Sequence, residues 1–137
     1  MTAFKLKAYS PHRKIEQQYQ IAVVNYLRSA YPDVLFTIAP SGMKLSIGLA
    51  KKFKALGYKA GTPDLMVFKP YCKDNKPLYH ALFIELKTPK TVWSSKGIIS
   101  EEQKDFIERL RALNYRAEVC YGSEEAFKVI DEYLKGE

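Results

Sequence analysis

The chain reads as an α/β fold with elements in the order α-β-α-β-β-α-β-α. Three observations predict this. Four segments place apolar residues near helical spacing, four short runs between them are apolar and rich in β-branched or aromatic residues, and Pro, Gly and Asn punctuate most of the joins. At 137 residues the chain suits one domain, with room to bury roughly two-thirds of its unfolded surface without disulfides or a structural metal. No internal repeat or low-complexity segment interrupts the pattern.

Residues 1–14 are polar and basic, contain Pro11, and read as an N-terminal arm, leaving 15–137 as the domain. The first helix is expected over Ile15–Tyr31, where Ile15, Tyr19, Val23, Tyr26, Leu27 and Ala30 fall near helical spacing. Pro32-Asp33 breaks it, Val34–Ala39 suits a strand, and Pro40-Ser41-Gly42 a turn. A second helix over Leu45–Leu56 has Leu49, Phe53 and Leu56 on one side, lysines around the rest, and Gly57 to end it. Leu65–Phe68 is a short apolar strand, and a turn at Lys73–Lys76 leads to a second strand over Leu78–Leu86, the two forming a hairpin. Ser100 is the expected N-cap of a third helix, with Glu101 and Glu102 in the first turn and Phe106, Ile107, Leu110 and Leu113 as its stripe. Asn114 ends that helix, Tyr115–Tyr121 forms a strand, and Ser123 is expected to cap a last helix carrying Phe127, Ile130 and Leu134.

Composition excludes several classes. The apolar share of 47% and charged share of 27% are those of a globular domain, which argues against disorder or coiled coil. No apolar run is long enough for a membrane span, and the N-terminus lacks the apolar stretch of a secretory signal. Only two cysteines occur, Cys72 and Cys120, far apart, pointing to a reducing cytosolic compartment. Those two with His80 make a poor basis for a redox or zinc protein, because no paired ligand spacing exists. His12, beside Arg13 in the arm, suits a solvated or phosphate-contacting residue better than a catalytic base.

The net charge of +7 is polarised along the chain. Residues 1–100 hold sixteen Lys or Arg against five acids, whereas residues 101–137 hold six against ten. A segment so poor in acids suits a polyanionic partner, since clustered Lys and Arg release counterions from phosphates. Two of its five acids, Asp64 and Glu85, lie beside strands, and Lys87 follows two residues after Glu85.

Alternate side chains of a strand share a face, so Phe83, Glu85 and Lys87 point one way and Leu82, Ile84 and Leu86 the other. Pro63 and the restricted Thr62 deliver the chain sharply into a strand whose first side chain is Asp64. Two carboxylates and an ammonium are the set that phosphodiester hydrolysis needs: Asp64 and Glu85 to hold Mg²⁺ or Mn²⁺, and Lys87 to stabilise developing charge or orient the water. A charged strand end and a turn aspartate are the ordinary alternatives for these residues, taken singly. Gln103 continues the apolar stripe of its helix and has two possible roles. It can contact the scissile phosphate, the water or Lys87, or it can complete a capping box with Ser100. Glu16 in the first helix is either a third metal ligand or a solvated partner of the helix dipole.

Together these residues resemble the virus-type replication-repair nuclease (VRR-NUC) domain, within the PD-(D/E)xK nuclease group. The matching positions are Glu16, Pro40-Ser41-Gly42, Gly57, Gly61-Thr62-Pro63-Asp64-Leu65, Phe83-Ile84-Glu85-Leu86-Lys87, and Ser100 with Gln103 and Leu110. The resemblance implies a restriction-endonuclease-like core, a central mixed sheet flanked by helices. It implies Glu16, Asp64 and Glu85 as metal ligands, Lys87 as the catalytic cation and Gln103 as an active-site residue. The compact length is similar to standalone phage members, which implies a homodimer cutting branched DNA such as four-way junctions, in a bacterial or phage-infected cell. Ser41, Lys44, Lys51, Lys90, Trp93 and Lys96 are the expected DNA contacts. The chain departs from the pattern in having Asn114 where glycine is common, which the left-handed tolerance of Asn accommodates, and in a longer Thr88–Ile99 segment. In that segment Trp93 can stack on a base or pack over the apolar edge. A general nickase or restriction-like nuclease would use the same residues. A non-catalytic DNA-binding module would keep the basic face but gain nothing from acids placed near phosphates.

Overall fold

The computed structural model describes residues 11–40, 45–92 and 95–136. Along the chain run α1 (Pro11–Ala30), β1 (Phe36–Ile38), α2 (Ile47–Ala55), β2 (Leu65–Val67), β3 (Tyr71–Lys73), β4 (Lys76–Tyr79), β5 (Leu82–Lys87), α3 (Glu101–Ala112), β6 (Arg116–Tyr121) and α4 (Ser123–Lys135). Four strands form one sheet in the order β1-β2-β5-β6, and β3 with β4 forms a separate ribbon. The β1/β2 and β2/β5 pairs are antiparallel and β5/β6 is parallel, so the sheet is mixed.

Helices cover both faces. On one, Val23 and Leu27 of α1 and Ala126, Ile130 and Tyr133 of α4 pack on Leu65, Val67, Leu82, Ile84, Leu86 and Cys120. On the other, Ile107 and Leu110 of α3 pack with Ala117, Phe83 and Val119. The strict alternation of β5 is therefore realised, with Leu82, Ile84 and Leu86 under α1 and α4, and Phe83 on the α3 side. By contrast α2 buries none of its residues, and Ser46 caps it by accepting from the Leu49 amide at 3.1 Å.

Four expectations need correction. Helix α1 begins at Pro11, four residues before the expected start, because Pro is pre-organised for the first helical position, where its missing N–H costs nothing. The expected strand over Leu78–Leu86 is two strands: His80 N donates to Asn114 O and Arg116 N to Ala81 O, which turns the chain between β4 and β5. The turn at Lys73–Lys76 is real, but it closes the small β3/β4 ribbon, with Asp74 and Asn75 both at positive φ as a two-residue hairpin loop requires. The partner of β5 is still β2, across a longer connection that contains the ribbon. Ser123 is the first residue of α4 and not its cap; Gly122 holds that position at φ +89, and the Glu125 carboxylate reaches back to the Tyr121 amide at 2.5 Å.

Many of the ten tyrosines have internal work. Tyr26 and Tyr31 both donate to Asp131 at 2.6 Å, and Tyr71, Tyr79 and Tyr133 pack ring to ring while the Tyr133 hydroxyl donates to Lys69 O. Tyr115 packs edge-on against Phe83 and His80. Six of the ten tyrosines thus pack or hydrogen-bond within the chain.

Candidate active site

The site is built where β2 and β5 lie side by side. The antiparallel register pairs Leu65 with Ile84, and one step further it sets Asp64 opposite Glu85. Ala39 N donates to Asp64 O at 3.1 Å, holding the start of β2 to the end of β1. The Asp64 side chain is fixed as well, because its Oδ2 accepts from Leu86 N at 2.8 Å. Asp64 and Lys87 are 8% exposed and Glu85 only 2%, so three charged groups sit largely out of water.

Helix α3 supplies the fourth side chain: of the roles considered for Gln103 the capping box is formed, and the side chain also reaches the site, where its partner is Glu85 and not Lys87. Its amide N donates to Ser100 Oγ at 3.1 Å and its Oε1 accepts from Ser100 N at 2.9 Å, a complete capping box. The other end of the same side-chain amide, Nε2, donates to Glu85 Oε1 at 2.7 Å. Only this orientation makes both contacts donor–acceptor pairs. The helix start therefore sets the position of Glu85.

A backbone contact locks the two halves of the site together. Gly61 has φ +91, and a Cβ there would lie 2.3 Å from Glu102 O and 2.8 Å from Gln103 N. The loop that delivers Asp64 thus rests directly on the first turn of α3, at a distance only glycine permits. At the far end of β5, Gly122 N donates to Lys87 O at 3.0 Å and Gly97 N to Thr88 O at 2.9 Å, which pins the strand that carries Lys87. Gly61 is one of the positions that carry the resemblance, and the physical reason for glycine there, the backbone of a helix forty residues on, is not visible in local spacing. Thr88, 1% exposed, also escaped notice.

The electrostatics of Glu85 are those of a strained carboxylate. Its Oε1 has Gln103 and, at 3.8 Å, the Lys87 ammonium; its Oε2 is buried and receives no hydrogen-bond donor from the described residues, while the carboxyl lies within hydrogen-bonding reach of the Asp64 carboxylate. Burial, then the charge of Asp64, pushes its pKa up from 4.5 to about 9; Lys87 pulls the other way, and contact with Asp64 and the charge of Glu16 push further upward. Glu16, half-buried on α1, is thus near enough for its charge to reach Glu85.

The sequence profile of the VRR-NUC domain matches residues 10–124. The chain belongs to the VRR-NUC family. A solved structure described as a VRR_NUC domain protein is similar over 88% of each chain, with a TM-score of 0.67 at 28% sequence identity. No curated protein matches the chain significantly. VRR-NUC domains are nucleases, so this is a nuclease-type domain with DNA as its substrate class.

In this VRR-NUC domain the mixed sheet and α3 bring Asp64, Glu85, Lys87 and Gln103 together. Lys51 is exposed on α2 and Lys90 is exposed after β5. Lys96 folds back so that its Nζ lies 3.9 Å above the ring of Tyr121, the residue paired with Lys87 across β5/β6. Ser41, Lys44 and Trp93 lie outside the described residues. Cys72 and Cys120 are both free thiols, one exposed and one buried. No helix among the described residues is long and apolar enough to cross a membrane.

Among the described residues no three His, Cys, Asp or Glu side chains converge as a full ligand cage. Magnesium does not demand one, since it is commonly held by one or two carboxylates completed by water and substrate phosphate. The donors present are hard carboxylate oxygens, and the buried, unpartnered Oε2 of Glu85 beside Asp64 is the kind of acceptor that a divalent cation satisfies. The residues fit the group.

Proposed function

We propose that this domain is an endonuclease dependent on Mg²⁺ or Mn²⁺ that hydrolyses phosphodiester bonds in branched DNA, with four-way junctions as the leading substrate. The observation that carries the reading is the buried, half-satisfied carboxylate of Glu85, set among Asp64, Lys87 and Gln103. Such a group destabilises a domain, so its presence supports a role in chemistry rather than in folding. Asp64 and Glu85 would hold the cation, with Glu16 as a third carboxylate. Bound there, it would polarise a phosphoryl oxygen and lower the pKa of a water.

The chain's own residues supply the rest. Gln103 keeps Glu85 Oε1 in place, and Leu86 N keeps Asp64 Oδ2 in place, so neither carboxylate must reorganise during the reaction. Lys87, 8% exposed and held by the strand, places a compact positive charge where negative charge develops on the phosphoryl group. Hydrolysis adds the water oxygen to phosphorus and breaks the bond to the 3′ oxygen, leaving a 5′-phosphate. Helix α2, with Lys51, Lys52 and Lys54 and no acid, suits the flanking DNA backbone. A homodimer suits a junction, because paired nicks need two sites related by a two-fold axis. A cytoplasmic location follows from the cysteine usage.

The test is cleavage of an end-labelled four-way junction and a matched linear duplex, in Mg²⁺, Mn²⁺ or EDTA, by wild type and Asp64→Asn. Metal-dependent cutting confined to the junction and lost in the variant is expected. Equal cutting of both substrates would remove the junction preference, and binding without cutting would leave only a DNA-binding module.

A further inference from the structure

The two edges of the four-stranded sheet are finished differently. At β6, side chains take outward backbone groups: Arg111 Nε and Nη2 donate to Ala117 O at 3.0 and 2.8 Å, and the Glu125 carboxylate accepts from Tyr121 N. Arg116 pairs with Glu118 and Glu132 along the same strand, so that edge is capped and charged, a guard against pairing with another chain. At β1 the opposite holds. Phe68 N donates to Leu35 O and Ala39 N to Asp64 O, so Leu35, Thr37 and Ala39 face β2, and by alternation Phe36 and Ile38 aim their N–H and C=O groups at the open edge.

Apolar surface surrounds these groups. Leu35 is 69% exposed, Ile21 61% and Ile38 44%. A cleft of about 630 Å³ runs along the edge, between Gln17, Ile21, Val24 and Arg28 of α1 and Phe36 and Ile38 of β1. Arg28 is the one charged residue among the described residues that line it, and its guanidinium lies 5.9 Å from the centre of the Phe36 ring.

Charge and symmetry name the occupant. A phosphate backbone rewards clustered cations, and this face offers a single one, already set against a ring. A second copy also carries a net charge of +7, and a face with so little charge lets two such chains meet with least repulsion. The edge is self-complementary as well. Turned about a two-fold axis at Thr37, it sets Phe36 opposite the partner's Ile38 and Ile38 opposite the partner's Phe36, each outward N–H against an outward C=O.

We propose that this domain dimerises by pairing β1 with the β1 of a second copy, joining the two four-stranded sheets into one continuous sheet with the exposed apolar side chains of α1 and β1 buried at the join. The proposal rests on the homodimer included in the nuclease reading, and it assigns that dimer a surface and a geometry. A two-fold axis normal to the sheet keeps both active sites on the same face, the one covered by α3. Each site lies between β2 and β5, so the two are about four strand spacings apart across the sheet, roughly 20 Å, and one branched DNA molecule can reach both.

Analytical ultracentrifugation of wild type and Ile38→Pro tests the pairing. Proline at this position removes an outward N–H and leaves the ladder to β2 intact, as edge strands tolerate. Wild type is expected to sediment as a dimer. The variant should dissociate about tenfold or more readily, since two edge bonds are lost per dimer, with an unchanged far-ultraviolet circular dichroism spectrum. Should that variant fold poorly, Thr37→Cys decides. The two copies of residue 37 meet in a non-hydrogen-bonded pair with Cα atoms about 4.5 Å apart, within the roughly 4.4–6.8 Å that a disulfide spans. In a Cys72→Ser background, oxidation by diamide should link this variant into a covalent dimer, while wild type, whose exposed Cys72 lies on the β3/β4 ribbon, should not link. A dimer that Ile38→Pro leaves unweakened, or a folded Thr37→Cys dimer that diamide does not link, would overturn the proposal and place the contact elsewhere, with the homodimer and the nuclease reading intact. A wild type that is monomeric at every concentration would overturn the homodimer too and leave this edge to a different occupant; metal-dependent DNA cleavage by that monomer would show that the nuclease reading stands without it.

Discussion

The two faces of β5 obey opposite rules. Under α1 and α4, Leu82, Ile84 and Leu86 are at most 1% exposed and every neighbour in their cluster is apolar or aromatic. Under α3 the same strand buries Glu85 and Lys87, and leaves one carboxylate oxygen without a donor among the described residues. Two acids show the contrast in charge terms. Asp131, between α1 and α4, receives two tyrosine hydroxyls, and these hold its carboxyl below the usual range. Glu85 is pushed the other way by burial and by Asp64. One face is built to keep the domain folded, and the other carries a charge arrangement that folding alone would not select.

The largest expected effect falls on the apolar face. Ile84→Ala should cost about 2–5 kcal/mol in urea unfolding, while the folded fraction keeps its activity per molecule; an intact melting curve with lost activity would break the division between faces. On the other face Glu85→Gln should reverse that outcome, cutting cleavage by about a hundredfold or more. Its effect on stability has a defined sign. The folded pKa of about 9 exceeds the ordinary 4.5, so wild type loses stability as pH rises between those values, and in EDTA the variant should melt higher than wild type at pH 8 but not at pH 4.5. Gly61→Ala sits between the two regimes. It should cost about 2 kcal/mol through its positive φ and its clash with Glu102, and activity should fall further than the folded fraction does, because Asp64 and Gln103 are displaced together.

The smallest effect expected is that of Asp131→Asn. Removing its charged acceptor should cost about 1 kcal/mol at pH 7. A depressed carboxyl lends stability above its unfolded pKa and loses it as pH falls through the folded value. The difference between wild type and Asp131→Asn should therefore close in acid, as it does for Glu85→Gln, but with the opposite sign: at higher pH the Asn variant is the less stable of its pair and the Gln variant the more stable. Parallel pH profiles for the two variants would contradict the contrast.

Most of this division was legible in the sequence, because alternation along a strand needs no tertiary information. Leu82, Ile84 and Leu86 against Glu85 and Lys87 follow from period two, and Asp64 and Glu85 become neighbours once β2 and β5 pair antiparallel. The capping box of Ser100 and Gln103 was readable from local spacing too, and Asn114 at φ +64 ends α3 as expected. What escaped was set by contacts distant in the chain. The break between β4 and β5 depends on His80 N donating to Asn114 O, just before β6, and on Ala81 O accepting from Arg116 N at its start, and no residue type there signals a stop. The simultaneous bond from Gln103 to Glu85 required the orientation of α3 across the sheet. Gly61 stood in the sequence only as a position of the family pattern, whereas its need for glycine comes from a helix backbone forty residues away.

The central claim is that the half-satisfied carboxylate of Glu85 serves a divalent cation. Thermal unfolding of EDTA-stripped protein titrated with Mn²⁺ at pH 8 tests it without DNA or turnover. The account predicts that Mn²⁺ raises the melting temperature of wild type and leaves Glu85→Gln nearly unmoved. An equal shift in both proteins, or no shift in wild type at millimolar Mn²⁺, would contradict it.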